Sequence, residues 1–192
     1  MGRRSRVQYS LNTGAIKSLP EEEIKMILRG ADELICTGGR SMLVKILKGS
    51  KDKKVLEYKL DQCPAYGFYR SLTQEEISCR VDWMIRRGYL RIEYSGRLPM
   101  LVFSEKGWEI ERETYTEELF QRFDLDRRKN KFRVVYEMKY VNQQVAMGIL
   151  EKIRATREEG FVPILEVWKA MEVRKVKGRI ESVEKTLKSK ES

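Results

Sequence analysis

The chain has 192 residues, which is enough to bury a hydrophobic core in one or two small domains. Its formal net charge of +10 at pH 7 favours a polyanionic partner such as nucleic acid. Histidine is absent, which excludes a histidine general base, a Ser-His or Cys-His nucleophile and a histidine metal ligand.

The cysteines and the apolar segments indicate the redox setting and whether the chain attaches to a membrane. The three cysteines, Cys36, Cys63 and Cys79, show no CxxC spacing. We therefore expect neither a disulfide scaffold nor a zinc site, but free thiols in a reducing compartment. No apolar run approaches the ~20 residues needed to cross a bilayer, and the first ten residues do not form a signal peptide. We therefore predict a cytoplasmic protein, associated with the nucleoid in a prokaryote, without membrane attachment, metal or other cofactor.

The first part of the chain predicts a basic arm over residues 1–20, followed by helices. The first helix is predicted to begin at "EEE" after Pro20 and to end at a Gly-Gly pair. The second, "RSMLVKILKGS", is predicted to end at Gly49, and "KDKKVLEYKL" can form a third. After the aromatic turn "PAYGFY", Thr73 and Glu76 form a capping box that begins the clearest helix, "LTQEEISCRVDWMIRRG".

This clearest helix has an apolar face and an opposite face that carries Cys79, Trp83 and Arg86. We expect another element to cover Trp83, and the C-terminal helices could do so. The acids Glu75, Glu76 and Asp82 argue against insertion of this helix deep into the major groove, because they would repel phosphates. The apolar face of this helix consists of Ile77, Val81, Met84 and Ile85.

The second part of the chain predicts a hairpin and then helices. "YLRIEY" and "MLVFS" alternate as strands around a Ser95-Gly96 turn. A helix follows to about Phe123, and "DLDRRKNK" is interpreted as a charged hinge. Residues 134–158 and 161–187 each fit one helix. The predicted fold is mostly α with a small β-hairpin wing: a winged-helix domain over residues 21–123 and a C-terminal helical region over residues 124–192.

Three segments together resemble the RQC domain, the winged helix at the C-terminal side of RecQ-family helicases. They are "LVKILKGSKDKKVLEYKL", "PAYGFYRSLTQEEI" and "MIRRGYLRIEYSGRLPMLVFSEKG", and the resemblance covers about residues 38–115. It is carried by Leu47-Lys48-Gly49-Ser50, Tyr66-Gly67, Gly88-Tyr89-Leu90 and Ser104-Glu105-Lys106-Gly107. The resemblance implies binding of duplex DNA, with a preference for ends, forks or junctions over a particular sequence.

The resemblance also implies which residues contact DNA. Lys48 and Ser50 occupy the Leu-basic-Gly-Ser turn that grips phosphate in RQC domains, and further lysines extend that cluster. The end of the clearest helix and the wing add arginines, and Leu98 could replace an apolar wedge. The predicted nucleic-acid-binding residues are Lys48, Ser50, Lys51, Lys53, Lys54, Arg86, Arg87, Arg91, Arg97, Leu98 and Lys106.

The chain departs from the helicases in three respects. The wing tip, Ser95-Gly96-Arg97-Leu98, has no aromatic residue to wedge between base pairs. The nucleotide-binding pattern GxxxxGK[ST] is missing, and so are the clustered cysteines of the zinc module that often precedes an RQC winged helix. We therefore expect a protein without enzymatic activity that grips double-stranded or branched DNA and does not unwind it alone.

Two other functions stay open. The same winged helix could serve a sequence-specific transcription regulator. Alternatively, the chain could be an adaptor whose C-terminal helices bind a protein partner or a second copy. A group of cations near the C-terminus fits a solvated helix face, a second DNA surface or a partner-binding helix: Lys169, Arg174, Lys175, Lys177, Arg179, Lys185, Lys188 and Lys190.

Overall fold

The helices and strands follow the predicted order in a computed structural model that describes residues 10–172 and 175–189. Part of the expected basic arm, together with Arg174 and Lys190, lies outside the described residues. The chain divides into two units, Met1–Glu111 and Arg112–Ser192. Both this division and the predicted boundary after residue 123 lie within a single long helix, so the predicted domain limits stay a prediction.

The first unit is a winged helix, as predicted. Its hairpin is an antiparallel pair in which Leu90 lies opposite Phe103 and Ser95 opposite Leu98. The elements of this unit are α1 (Glu21–Asp32), α2 (Arg40–Lys48), α3 (Lys53–Glu57), a 3-10 turn (Leu60–Gln62), α4 (Gln74–Arg86), β1 (Leu90–Ser95), β2 (Leu98–Phe103) and the start of α5 (Glu105–Arg128).

The second unit is helical throughout its described elements, which confirms the predicted C-terminal helices as a class. It contains the remainder of α5, then α6 (Arg133–Glu137), a 3-10 turn (Met138–Tyr140), α7 (Gln143–Thr156), a 3-10 turn (Glu159–Phe161), α8 (Val162–Met171) and α9 (Val176–Lys188). The prediction of one helix over residues 134–158 and another over 161–187 is wrong, because each range contains two α-helices. Within the second range, Trp168 of α8 and Ile180 of α9 both lie in the core.

The predicted hinge "DLDRRKNK" is wrong for its first half, because α5 continues to Arg128. Asp124 forms ion pairs with Arg127 and Arg128, three and four residues further along the helix. Such pairs favour the helical conformation. The high charge of this segment therefore stabilises a helix end instead of breaking it.

The core of the first unit is formed where α1, α2 and α4 pack together. Leu28, Leu47 and Met84 are completely buried there, and each such side chain contributes about 1.5–3 kcal/mol by its removal from water. The capping box of α4 is present: the Thr73 hydroxyl accepts from the Glu76 N–H, and the Glu76 carboxylate accepts from the Thr73 N–H. Helix α4 is thus fixed at its start by a local signal and along its length by burial.

The wing is attached to the helices through the segment Ser104–Gly107. The Ser104 hydroxyl lies within hydrogen-bonding distance of the carbonyls of Gly88 and Tyr89, and it accepts from the N–H of Gly107. A Cβ on Gly107 would lie only 2.0 Å from the Tyr89 carbonyl oxygen, so this position needs glycine. The Ser-Glu-Lys-Gly motif therefore fixes the base of the hairpin against the start of α5.

A buried carboxylate joins three parts of the first unit. Asp82, on α4, is fully buried and forms an ion pair with Arg40 at the start of α2. It also accepts a hydrogen bond of 2.8 Å from the backbone N–H of Asn12. The expectation that Asp82 faces phosphates and repels them is therefore wrong, since its charge is directed inward and paired.

The N-terminal segment 12–17 crosses the outer face of α4. The indole N–H of Trp83 donates to the carbonyl of Lys17 at 3.4 Å, and Trp83 is only 6% exposed. Gly14 lies beside Cys79, because a Cβ on this glycine would be 3.5 Å from the Cys79 sulfur. The prediction that another element covers Trp83 is confirmed, and that element is this N-terminal segment.

In the part of the chain that the structure describes, no helix combines the length and the apolar character needed to cross a membrane.

The buried carboxylate gives a test of this organisation. We expect Asp82→Ala to lower the free energy of unfolding of the first unit by about 3 kcal/mol, because it leaves the Arg40 charge without its partner. Hydrogen exchange of the slowest amides in α2 and α4 would measure this change, since those amides exchange through unfolding of the unit.

The matched control is Asp61→Ala, which removes an exposed carboxylate from the same unit. We expect a change within about 0.5 kcal/mol for this variant. Equal losses in the two variants would show that the buried pair has no special role.

Candidate nucleic-acid interface

The turn between α2 and α3 is built around two glycines with left-handed backbone conformation. Gly49 has a φ of 74° and ends α2 by donating to the carbonyl of Ile46. Gly67 has the same φ and packs against it, because a Cβ on Gly49 would lie 3.0 Å from the Gly67 Cα. Neither position accepts another residue without strain. The Leu-Lys-Gly-Ser and Tyr-Gly motifs are therefore the two sides of one backbone contact.

The neighbouring side chains hold this turn from both sides. The Tyr66 hydroxyl donates to the carbonyl of Ser50 at 3.1 Å. The exposed guanidinium of Arg70 lies over the two glycines, since a Cβ on Gly67 would be 2.9 Å from its Nη2 and one on Gly49 would be 3.5 Å from its Nε. Arg70 is a cation of the candidate site that sequence reasoning missed. Its role could have been predicted only from the contact between Gly49 and Gly67, and these two glycines are distant in sequence.

Lys48 has a structural role in the described structure. Its ammonium group donates to the carbonyls of Arg70 and Leu72, at 2.7 and 2.6 Å. These bonds fix the segment that leads into α4. An ammonium group has three N–H donors, so one stays free for a phosphate.

The lysines after Ser50 form an exposed cluster. Lys51, Lys53 and Lys54 are exposed, and none has an ion pair within the described residues. The Ser50 hydroxyl oxygen accepts from the backbone N–H of Asp52 at 3.2 Å, which leaves its proton free to be donated. We call Ser50, Lys51, Lys53 and Lys54 the lysine loop. It offers one hydroxyl donor and three exposed cations on a fixed turn.

Asp52 is the acid within this loop, and it moderates the loop's charge. Its carboxylate accepts from the Lys45 ammonium at 2.8 Å and from the Lys54 backbone N–H at 3.0 Å, which caps α3. These two hydrogen bonds, that from Lys45 foremost, lower the pKa of Asp52 below its usual value. A lowered pKa means that this carboxylate stabilises the fold above its ordinary titration range, and that the stabilisation is lost as the pH falls through the lowered pKa.

The end of α4 carries two exposed arginines with different surroundings. Arg87 donates to the carbonyl of Lys17 at 3.3 Å, and its guanidinium lies 5.6 Å from the centre of the Trp83 ring. Arg86 has no ion pair in the described part of the chain. Both arginines line a pocket of about 230 Å³ between α4 and the N-terminal segment, together with Trp83, Thr13 and Ile16.

The hairpin places Arg97 at its tip. Because Ser95 pairs with Leu98, the turn is Gly96-Arg97, one residue later than predicted. Gly96 has a φ of 62° at the first turn position, as type II′ hairpins require. Leu98 is 63% exposed as the first residue of β2, so it stands beside the tip and not on it.

The two other predicted residues of this region have partners. Arg91 forms an exposed ion pair with Glu93 at 3.6 Å, a geometry that contributes little to stability. The Lys106 ammonium lies 3.6 Å from the centre of the Tyr89 ring, at the base of the hairpin. The structure thus divides the predicted residues into the α2–α3 turn and the region of the α4 end and hairpin. That these residues bind nucleic acid stays a prediction.

Comparison with known proteins gives two matches. A family model described as RQC domain matches residues 20–130. The ATP-dependent DNA helicase RecQ of Bacillus subtilis (strain 168) is 35% identical over 69 residues, which make up 36% of this chain and 12% of the helicase. The chain thus corresponds to a small part of that relative's length. No solved structure gives a significant match.

The position of Asp52 predicts how removal of its negative charge changes polyanion binding by the lysine loop. We expect Asp52→Asn to strengthen binding to a polyanion, because it frees Lys45 and keeps an equally good helix cap. Elution from a heparin column at a higher salt concentration than the unchanged chain would measure this effect.

Asp61→Asn makes the same charge change at an exposed position outside the loop. We expect a smaller increase in its elution salt. If both variants shift equally, net charge alone is responsible and Asp52 does not moderate the loop.

Proposed function

Because this chain belongs to the RQC-domain family, we propose that it binds the backbone of duplex DNA through its winged-helix domain and prefers ends, forks or junctions. The observation that carries this proposal is the lysine loop, which presents free cations on a turn fixed by the contact between Gly49 and Gly67. The relative that matches 69 residues of this chain is a DNA helicase by name.

The chemistry of the loop suits phosphate binding. Lys51, Lys53 and Lys54 can each neutralise a phosphate and release its condensed counterions. The Ser50 hydroxyl can donate to a phosphate oxygen beside them. Arg70 adds a planar guanidinium at the same turn, a group that matches two phosphate oxygens at once. Contacts of this kind position a protein on DNA without reading its sequence.

The cover over Trp83 on the outer face of α4 supports selection of DNA shape over sequence. Direct readout needs side chains that reach base edges in a groove. The residues that would do so from α4 include Trp83, which the segment 12–17 covers, and Asp82, which is buried. A sequence-specific regulator would need an open face at this position, so this alternative receives less support.

The wing is proposed to hold a phosphate and not to separate strands. Its tip carries Arg97, an exposed cation without an ion pair within the described residues, and no aromatic side chain. Leu98 is exposed but stands in β2. We therefore propose a role in binding, without catalysis by this chain. An adaptor role of the C-terminal helices would add to this function and needs a protein partner to be identified.

Removal of the loop's cations should weaken DNA binding uniformly. We expect Lys51→Ala, Lys53→Ala and Lys54→Ala together to reduce affinity for duplexes of unrelated sequence by equal factors. The slope of log K against log salt should become less steep by about 2–3, because each lost phosphate contact removes about 0.9. Fluorescence anisotropy titrations at several salt concentrations would measure both quantities.

A control with the same charge change is available at α9, where Lys175, directly before the helix, and Lys177 and Lys185, within it, are exposed. We expect the triple alanine variant of these lysines to retain most of the affinity and the salt slope. An equal loss would assign the binding to overall charge or to the C-terminal cations, and not to the lysine loop.

Shape selectivity is tested by competition among a linear duplex, a fork, a four-way junction and a single strand. We expect the branched molecules to displace the linear duplex from the protein, and Arg97→Ala to reduce that advantage because it removes the wing's contact. Selection from a random DNA pool provides the counter-test. Enrichment of one sequence motif would favour the transcription regulator instead.

A further inference from the structure

Two tyrosines of the second unit are turned towards solvent. Tyr136, in α6, is 60% exposed, and Tyr140, in the following 3-10 turn, is 82% exposed. Their orientation is set by the residues between and around them, because the alternate positions are buried. These buried positions are Val134, Val135, Met138 and Val141.

Several cations lie close to the two tyrosines along the chain. The Lys139 ammonium lies 4.5 Å from the centre of the Tyr140 ring. Lys129, Lys131 and Arg133 are exposed, and no ion pair of theirs occurs in the described structure. We call Tyr136, Tyr140, Lys129, Lys131, Arg133 and Lys139 the tyrosine surface.

The nearby acids are fewer than these cations, and each acid has a partner of its own. Glu137 forms an ion pair with Arg122. Asp126 accepts from the backbone N–H of Val134 at 2.9 Å, and Asp124 pairs with arginines of its own helix. The tyrosine surface therefore combines exposed aromatic rings with a local excess of positive charge.

We propose that the tyrosine surface binds a single strand of DNA, with bases stacked on the tyrosine rings and phosphates held by the lysines and the arginine. The choice of DNA over RNA rests on the proposed function. Both tyrosines lie beyond residue 130, where the match to the RQC family model ends. All of the tyrosine surface except Lys129 therefore lies outside the part of the chain that the family model matches.

An unpaired strand can use both the aromatic rings and the cations of the tyrosine surface. In a duplex the base faces are covered by their neighbours in the stack, whereas in a single strand every base offers a face to an aromatic ring. An acidic peptide would satisfy the cations but would leave the rings without a specific partner. Tyr136 and Tyr140 are four residues apart, which corresponds to about 6–8 Å along the helix axis at the rise of an α-helix or a 3-10 helix. Two nucleotides of a stacked strand occupy a similar length.

Binding of a fluorescein-labelled oligothymidylate to the full chain tests the proposal, because this strand does not fold on itself. We expect Tyr136→Ala with Tyr140→Ala to weaken binding at least about tenfold, as stacking on one ring alone accounts for about fivefold or more. Tyr136→Phe with Tyr140→Phe should keep the affinity, because stacking uses the ring and not the hydroxyl. Met171→Ala, which shortens another exposed apolar side chain of this unit, should leave it unchanged.

A second measurement does not depend on the folding of the alanine variant. A strand that carries 5-iodouracil should crosslink to Tyr136 or Tyr140 on irradiation, as identified by mass spectrometry. Crosslinks confined to other residues would overturn the proposal. So would unchanged affinity of a folded alanine variant, competition by polyglutamate equal to that by the strand, or tenfold tighter binding of oligouridylate.

The test is separable from that of the proposed function. The triple alanine variant of the lysine loop should lose duplex affinity and keep its affinity for oligothymidylate. Loss of oligothymidylate affinity in that variant would overturn the assignment of the strand to the tyrosine surface, whatever the duplex result.

Discussion

The carboxylate of Asp82 is the interaction on which the arrangement of the first unit depends. It is buried on α4, and it is satisfied only because α2 brings Arg40 to it and the N-terminal segment brings the N–H of Asn12. An unpaired charge at this position would be costly, so the three parts are held together as a set. One result is that Trp83, on the outer face of α4, is covered, and the cations proposed to contact DNA lie at the turn, the helix end and the wing.

The proposed interface combines a rigid backbone with mobile cations. The contact between Gly49 and Gly67, the Tyr66 hydroxyl and the Lys48 ammonium all fix backbone, whereas the lysine loop carries the free charges. Lys48 shows that a basic residue in a family motif need not serve only the ligand. In the described structure its donors go to carbonyls within the protein, and the neighbouring lysines are the ones left exposed.

Local signals predicted much of the fold. The capping box of Thr73 and Glu76, the C-terminal Gly49 and the alternation of the hairpin strands each act over a few residues, so the sequence displays them directly. Contacts between distant residues were not predictable. The cover of Trp83 by Lys17 joins residues 66 positions apart, and the bonds of Lys48 join residues 22 and 24 apart. Periodicity also missed the break between α8 and α9, because one buried stripe continues on both sides of it.

The paired glycines of the α2–α3 turn also bear on the kinetics of the proposed complex. A turn whose backbone is fixed before its ligand arrives has little conformational entropy left to lose, so the ordering cost falls mainly on the side chains of three lysines. Contacts made by such side chains can be broken and remade one at a time, while the turn itself keeps its shape. A protein that holds phosphates in this way can transfer along the backbone without refolding at each step.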